Sequence, residues 1–244
     1  MEGIIELRNV TFSVQERTLV EDVSYSYDEG KITALVGPSG GGKSTVLKLS
    51  AGILVPDRGE VLYKGKAILE MNRKENLEFR QNAGVVFQDS ALWANQSLFE
   101  ILELPLRIHY PNMNKTEREK RIASVATEVG YKKELGIRPA QLSMGEQKLI
   151  AYARAVMCRP TLLFLDEWTE SLDESAAMRL INLVKKHHAE GGTVVLVSHD
   201  MRIINSISQI IVMIVGGQAL KRFTIEQIRE DEELRRYVEE GIQA

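Results

Sequence analysis

The residues Gly37-Pro38-Ser39-Gly40-Gly41-Gly42-Lys43-Ser44-Thr45 run in the order glycine, four residues, glycine, lysine, serine or threonine, a pattern suited to gripping phosphate. Glycines let a loop take backbone angles closed to other residues and bring bare amides close to anionic oxygens. A helix opening near Lys43 would aim unpaired N–H groups and its positive dipole end at the same anion. Lys43 would place a full charge on the β- and γ-phosphates, and the Ser44 hydroxyl would give one ligand to Mg²⁺. The flanks agree. Lys31 to Val36 is a short apolar, β-branched run of the kind that makes a buried parallel strand, and Thr45 to Ala51 repeats its apolar positions at helical spacing.

Three further apolar runs end in polar groups suited to a magnesium nucleotide. Asp166-Glu167 follows Leu162–Leu165, Ser198-His199-Asp200 follows Thr193–Val197, and Gln88 follows Val85–Phe87. In open parallel sheets, ligands sit at the carboxyl ends of strands. There Asp166 would hold the magnesium, directly or through water, and Glu167 would face the attacking water as general base. His199 would bond the γ-phosphate or that water, and Gln88 would touch the metal or the water. An Asp-Glu pair after a strand also serves as a plain helix cap. Leu142-Ser143-Met144-Gly145-Glu146-Gln147 opens another predicted helix; alone it is a capping box, Ser143 to Glu146, yet a Ser and Gly at a helix start also form an anion site. Lying about a hundred residues from the glycine loop, it need not serve the same phosphate within one chain.

These groups need elements to hold them. Ile4 to Val14 alternates as a strand, a second piece runs around Val23 to Tyr27, and Pro56-Asp57-Arg58-Gly59 turns the chain into a strand at Glu60 to Tyr63. Ala83 to Gln88 is a further buried strand. From Leu92 to about Met157 the signal is helical, with Lys115 to Val129 showing the mixed charges of a solvated face. Two continuous apolar strands, Leu162–Leu165 and Thr193–Val197, flank helical sequence from Glu174 to Ala189, which implies a parallel sheet covered on both faces. Ile210 to Val215 is another strand, Gly216-Gly217 a hairpin turn, and 224–240 a short charged terminal helix.

Composition narrows the class. With 244 residues, 44% of them hydrophobic, the chain has ample core for one large α/β domain or two small ones. A net charge of −3 gives no broad basic field, so nucleic acid is not an expected partner. Cys158, the only cysteine, excludes an internal disulfide, points to a reducing compartment, and reads as a small core residue in an apolar helical stretch. Histidines 109, 187 and 188 read as surface residues. The N-terminus has no secretion signal, and no apolar run approaches the roughly 20 residues needed to cross a bilayer, so any membrane role is expected through a partner.

Taken in order, these stretches resemble the motif set of the ATP-binding-cassette (ABC) ATPases along nearly the whole chain. Gly37–Thr45 resembles Walker A, Gln88 the Q-loop, Leu142–Glu146 the LSGGQ signature, Leu162–Glu167 Walker B, Ser171-Leu172-Asp173 the D-loop and His199 the switch histidine. The resemblance implies one cassette over 1–244: an α/β phosphate-loop NTPase with a RecA-like core, an antiparallel β subdomain and an inserted helical subdomain at about 89–156. It implies ATP and Mg²⁺ (on Ser44, Gln88 and Asp166) as ligands. It also implies a second copy whose Ser143 and Gly145 cap the ATP held by Lys43. Further partners would be an integral membrane permease and, for an importer, a substrate-binding protein. The expected location is cytoplasmic, on the inner face of the cell membrane through that permease.

The match has departures. Met144 and Glu146 replace the usual Gly and Gln of the signature, and Trp168 stands where a proline commonly follows the Walker B glutamate. Val14 stands near the position of the adenine-stacking aromatic, with Phe12 close by. The stretch Asp89 to Arg107 resembles ATPases of the Mla/Mce phospholipid-transport type; Trp93, Leu98 or Phe99 would suit the groove for a permease's coupling helix, or would simply pack the helical subdomain. Three activities are in contention. One is the ATPase subunit of a bacterial ABC transporter, with phospholipid or another cargo. Another is a soluble cassette switching a macromolecular complex, and the third is a catalytically weak regulatory cassette.

Overall fold

The computed structural model describes residues 3–243. Two sheets organise it. β1 (Ile5–Val14) and β2 (Arg17–Tyr27) form an antiparallel hairpin that continues through β4 (Arg58–Tyr63) and β5 (Lys66–Ala67), giving the order β2-β1-β4-β5. The second sheet has the order β10-β9-β3-β8-β7-β6 and contains β3 (Ile32–Val36), β6 (Ala83–Val86), β7 (Leu162–Asp166), β8 (Thr193–Val197), β9 (Ile210–Val215) and β10 (Gln218–Thr224). Its central pairings are parallel; only β10 runs antiparallel, to β9.

The central strands β3, β7, β8 and β9 are apolar at nearly every position because each face meets a different core. Ala34, Val36, Leu163, Leu165, Val194 and Leu196 pack with the helical side of the molecule. Leu35, Leu162, Phe164, Val195 and Val197 pack with the antiparallel sheet and α1 (Lys43–Ser50). Neighbouring side chains of a strand point to opposite faces, so two covered faces demand an unbroken apolar run.

The helices resolve the sequence expectations. α2 (Arg73–Asn82) was not foreseen: only Phe79 of its ten residues is buried, so the apolar stripe that marks a helix is nearly missing. The helical signal from Leu92 to Met157 divides into α3 (Leu98–His109), α4 (Lys115–Glu128) and α5 (Met144–Val156). Ser97, Asn114 and Ser143 start each one with a capping box, which fixes the breaks. α6 (Glu174–Ala189) spans its predicted range, followed by α7 (Met201–Ile207). The single terminal helix becomes α8 (Ile225–Glu230) and α9 (Glu232–Gln243), with Thr224 capping the first and Asp231 between them. β2 starts at Arg17 rather than near Val23, paired from the hairpin turn onward.

Several side chains sit elsewhere than their types suggested. Leu98 is fully buried and Phe99 half-buried, which leaves Trp93, 45% exposed, as the open aromatic of that stretch. Phe12 packs into the core under the antiparallel sheet. Cys158 lies in the turn after α5, half-buried, and burial pushes its thiol up to about 11. His109, His187 and His188 are half-buried rather than surface residues. The His187 ring lies under Gly192, and His188 Nε2 is 2.6 Å from Gln209 Nε2. A helix C-terminus carrying two histidines looks solvated in sequence, but here it folds back onto the start of β8.

Candidate nucleotide site

The glycine loop leaves the end of β3 and enters α1. Gly37, Gly40 and Gly42 have φ of 141°, 74° and 97°, the region closed to side chains, so the curve of the loop requires glycine there. Gly42 is the N-cap of α1 and supplies no side-chain bond, and the first turn of α1 holds no acidic residue. Its first-turn amides therefore have no side-chain cap, the condition that suits a helix start to an anion. Backbone walls this loop on two sides. A Cβ on Gly37 would come 2.0 Å from Ile214 O and one on Gly42 2.6 Å from Leu19 O, while Gly217 N donates to Gly41 O at 3.0 Å.

Lys43 Nζ donates to Gly37 O and Pro38 O, both at 2.8 Å, and burial lowers its pKa while Glu167 and Asp166 oppose the shift. Ser44 Oγ donates to Asp166 Oδ1 at 2.8 Å, linking the glycine loop to the end of β7. Burial raises the Asp166 carboxyl above its ordinary value, offset by the Ser44 bond and by Lys48, Lys148 and Lys43. Glu167, one residue on, has a φ of 43° and donates its N–H to Val197 O of β8 at 3.1 Å. A non-glycine residue held there stores roughly 1–3 kcal/mol, which surrounding bonds must offset. The turn presents its carboxylate to His199 Nδ1 at 3.0 Å, with Glu167 largely buried and His199 mostly open to solvent. Burial raises the Glu167 carboxyl too, opposed chiefly by the His199 bond.

Ser44, Asp166, Glu167 and His199 thus converge, carried by the ends of β3, β7 and β8. Gln88 is exposed, with Nε2 3.4 Å from Glu170 Oε2. No bond from its side chain to Asp166 or Glu167 exists among the described residues. Ser143 and Gly145 lie apart from this group: Ser143 is exposed, and Gly145 packs beside Ser171 O and Leu172. Ser143 Oγ accepts from Glu146 N at 3.2 Å, while the Glu146 carboxylate takes Ser143 N at 3.0 Å and pairs with Lys133 at 2.8 Å. Trp168 is fully buried, its ring 6.1 Å from that of Tyr152, so the residue in the usual proline position is a core anchor.

Sequence reasoning missed Lys148, which is only 3% exposed. Its ammonium donates to Phe87 O at 3.4 Å, to Glu167 O at 3.1 Å and to Gln88 O. A lysine in a helix ordinarily reads as solvated. The available signal was its place three and four residues before Ala151 and Tyr152, on the apolar face of α5.

The glycine cradle and acidic strand ends, on a parallel sheet between helices, define a phosphate-loop nucleotide-hydrolase fold. The family model described as "ABC transporter" matches residues 20–170. The chain is 32% identical over 235 residues to the intermembrane phospholipid transport system ATP-binding protein MlaF of Haemophilus influenzae, covering 96% of this chain and 89% of the relative. It is 31% identical over 210 residues to the methionine import ATP-binding protein MetN of Cutibacterium acnes, covering 86% of this chain and 57% of that one. The dimeric post-hydrolysis state of the ATP-binding cassette MJ0796 bound to ADP and Pi superimposes with a TM-score of 0.83 at 29% identity, covering 91% of this chain and 98% of that chain. The chain belongs to the ABC transporter family and is one of its ATPase cassettes.

Proposed function

We propose that the chain binds and hydrolyses Mg·ATP as the motor subunit of a bacterial transporter, in a pair whose two copies share each nucleotide. One observation carries the site reading: the Ser44–Asp166 and Glu167–His199 contacts meet at neighbouring strand ends beside an uncapped helix. Among the described residues no group of three or more His, Cys, Asp or Glu forms a metal cage. One hydroxyl and one carboxylate suit Mg²⁺, which is commonly held by one or two carboxylates with substrate phosphates. Ser44 and Asp166 would hold it, and when bound it neutralises phosphate charge.

The remaining work falls to this chain. The loop amides from Gly40 to Thr45, with Pro38 and Ser39 shaping the turn, grip the β- and γ-phosphates. Lys43 leaves its two carbonyls for the same oxygens, exchanging neutral acceptors for charged ones. Glu167 takes a proton from water as its oxygen bonds the γ-phosphorus; the bond to the β-phosphate oxygen breaks, leaving ADP and phosphate. His199 orients Glu167 and that water. Gln88 reaches the site from the loop after β6. Ser143 and Gly145 act on the partner's nucleotide.

Coupling to a membrane subunit fits a separate surface. Val55 and Leu69 are 56 and 65% exposed and, with Leu54, Ile68 and Met71, line a cavity of about 200 Å³. Such a patch suits a short apolar segment of a permease, and among the described residues no helix is long and apolar enough to cross a membrane. The likeness to MlaF supports phospholipid as cargo, and the likeness to MetN supports methionine import; an importer of this kind would add a substrate-binding protein as a partner. Turnover that is absent in Glu167→Gln while ATP binding persists supports the general base; equal turnover overturns it. Val55→Glu is expected to lose co-purification with a membrane protein at unchanged ATP affinity, and full retention would remove the docking assignment. Phospholipids co-purifying with the membrane complex would separate the two cargoes.

A further inference from the structure

We infer that Lys148 is a positioning residue for ATP hydrolysis: its buried ammonium ties the helix that begins at Ser143 to the backbone of both loops bearing Gln88 and Glu167. The inference rests on the ATPase reading above. Lysine is a costly group to bury, and a buried ammonium requires acceptors for its three N–H bonds. Here the acceptors are the carbonyls of Phe87, Gln88 and Glu167, and the carboxylates of Asp89, Asp166, Glu167 and Glu170 supply the countercharge.

The Glu167 carbonyl matters because this residue is held in the left-handed region at a φ of 43°. Its N–H is fixed by Val197 O and its carbonyl by Lys148. Two anchors, one on each side of the α-carbon, hold a backbone that would otherwise relax and turn the carboxylate away from His199. The loop after β6 is secured in the same manner. Ser90 and Ala91 have φ of 62° and 45°, and their carbonyls accept from Arg154 at 3.2 and 2.5 Å, so both cations of this contact come from α5. A shift of α5 would therefore move the backbone of Gln88 and Glu167 together. Lys148 touches no group expected to meet phosphate, so its effect belongs on the chemical step rather than on binding.

The test uses the full chain, with wild type, Lys148→Met and Lys148→Arg compared for kcat, KM and equilibrium ATP affinity. Lys148→Met is expected to lower kcat about tenfold or more with KM and affinity within about twofold, and Lys148→Arg to recover most of the loss. Unchanged kcat in Lys148→Met overturns the inference. So does a loss in which affinity falls in parallel and arginine gives no recovery. Should Lys148→Met not fold, Lys148→Gln carries the same comparison: reduced kcat at constant KM supports the role, and wild-type kcat refutes it. Absence of hydrolysis in the wild type would instead count against the proposed function itself.

Discussion

Two helices in this molecule start at loops matching nucleotide-binding motifs, and they treat their first turns in opposite ways. α1 begins at Gly42 with no side-chain cap and no acidic residue near its amides. α5 begins at Ser143 with a complete capping box, and Glu146, paired to Lys133, brings a carboxylate to the place where an anion would sit. An uncapped end keeps donors available and gains from an incoming anion, whereas a capped end is already satisfied and carries its own negative charge. Under the proposed function, the first is suited to hold a phosphate within one chain. The second can contribute only the Ser143 hydroxyl and the Gly145 backbone, and only to an anion fixed by something else. That is the division of labour expected of two copies sharing a nucleotide.

The strongest test of the contrast removes the charge at the open end. Lys43→Ala is expected to weaken ATP binding roughly 10- to 100-fold, the range for a lost hydrogen bond to a charged group, with calorimetric titration as the check. Unaltered affinity would mean that the loop amides alone suffice. Ser143→Ala should leave ATP affinity of the single chain unchanged while nearly abolishing turnover, and should cost about 1 kcal/mol of stability through the lost cap. A parallel loss of single-chain affinity would place both helix starts in one site. Glu146→Gln keeps the capping geometry and deletes the charge. ATP-driven association of the Glu167→Gln background should then occur at lower protein concentration, measured by sedimentation, with stability changed by under about 1 kcal/mol because the Lys133 pair is exposed. Weaker association would show that the carboxylate aids the interface.

The smallest expected effect lies far from both helix starts and serves as a control. Burial lowers the His187 pKa below its ordinary value of 6.5, so the unfolded chain binds the proton more readily. The folded state therefore loses stability as pH falls from about 6.5 towards the folded pKa. His187→Leu should flatten the fall of the thermal midpoint between about pH 7 and pH 5.5, leaving ATP affinity unaltered. An identical slope in the variant would remove His187 as the cause.

Legibility in the sequence followed the distance over which a residue acts. The glycine loop, the Asp166-Glu167 pair and the Ser143 cap are local: the residues that define each lie within a few positions, so pattern alone exposes them. The central strands were legible because burial on both faces leaves only apolar choices. α2 was hidden by its nearly uniform polarity, and the breaks within 92–157 by caps weaker than the apolar signal around them. Lys148 and Arg154 escaped notice because their partners, carbonyls at 87–91 and 167, lie 19 to more than 60 residues away and carry no mark of side-chain type. Trp168 was visible as an oddity but not as a core anchor, since it lies in the turn after β7 and its neighbour Tyr152 comes from α5.

The backbone walls around the glycine loop bear on how defects there should be interpreted. Gly37 and Gly42 abut Ile214 and Leu19 so closely that any side chain would push the β9–β10 hairpin or β2 aside, whereas an added carbon at Gly40 meets nothing within 4 Å. An inactive allele at 37 or 42 therefore reports misfolding as readily as lost affinity, and its protein should be scarce in cells. Gly40, constrained by backbone angle alone, is the position where a genetic screen would separate the two causes.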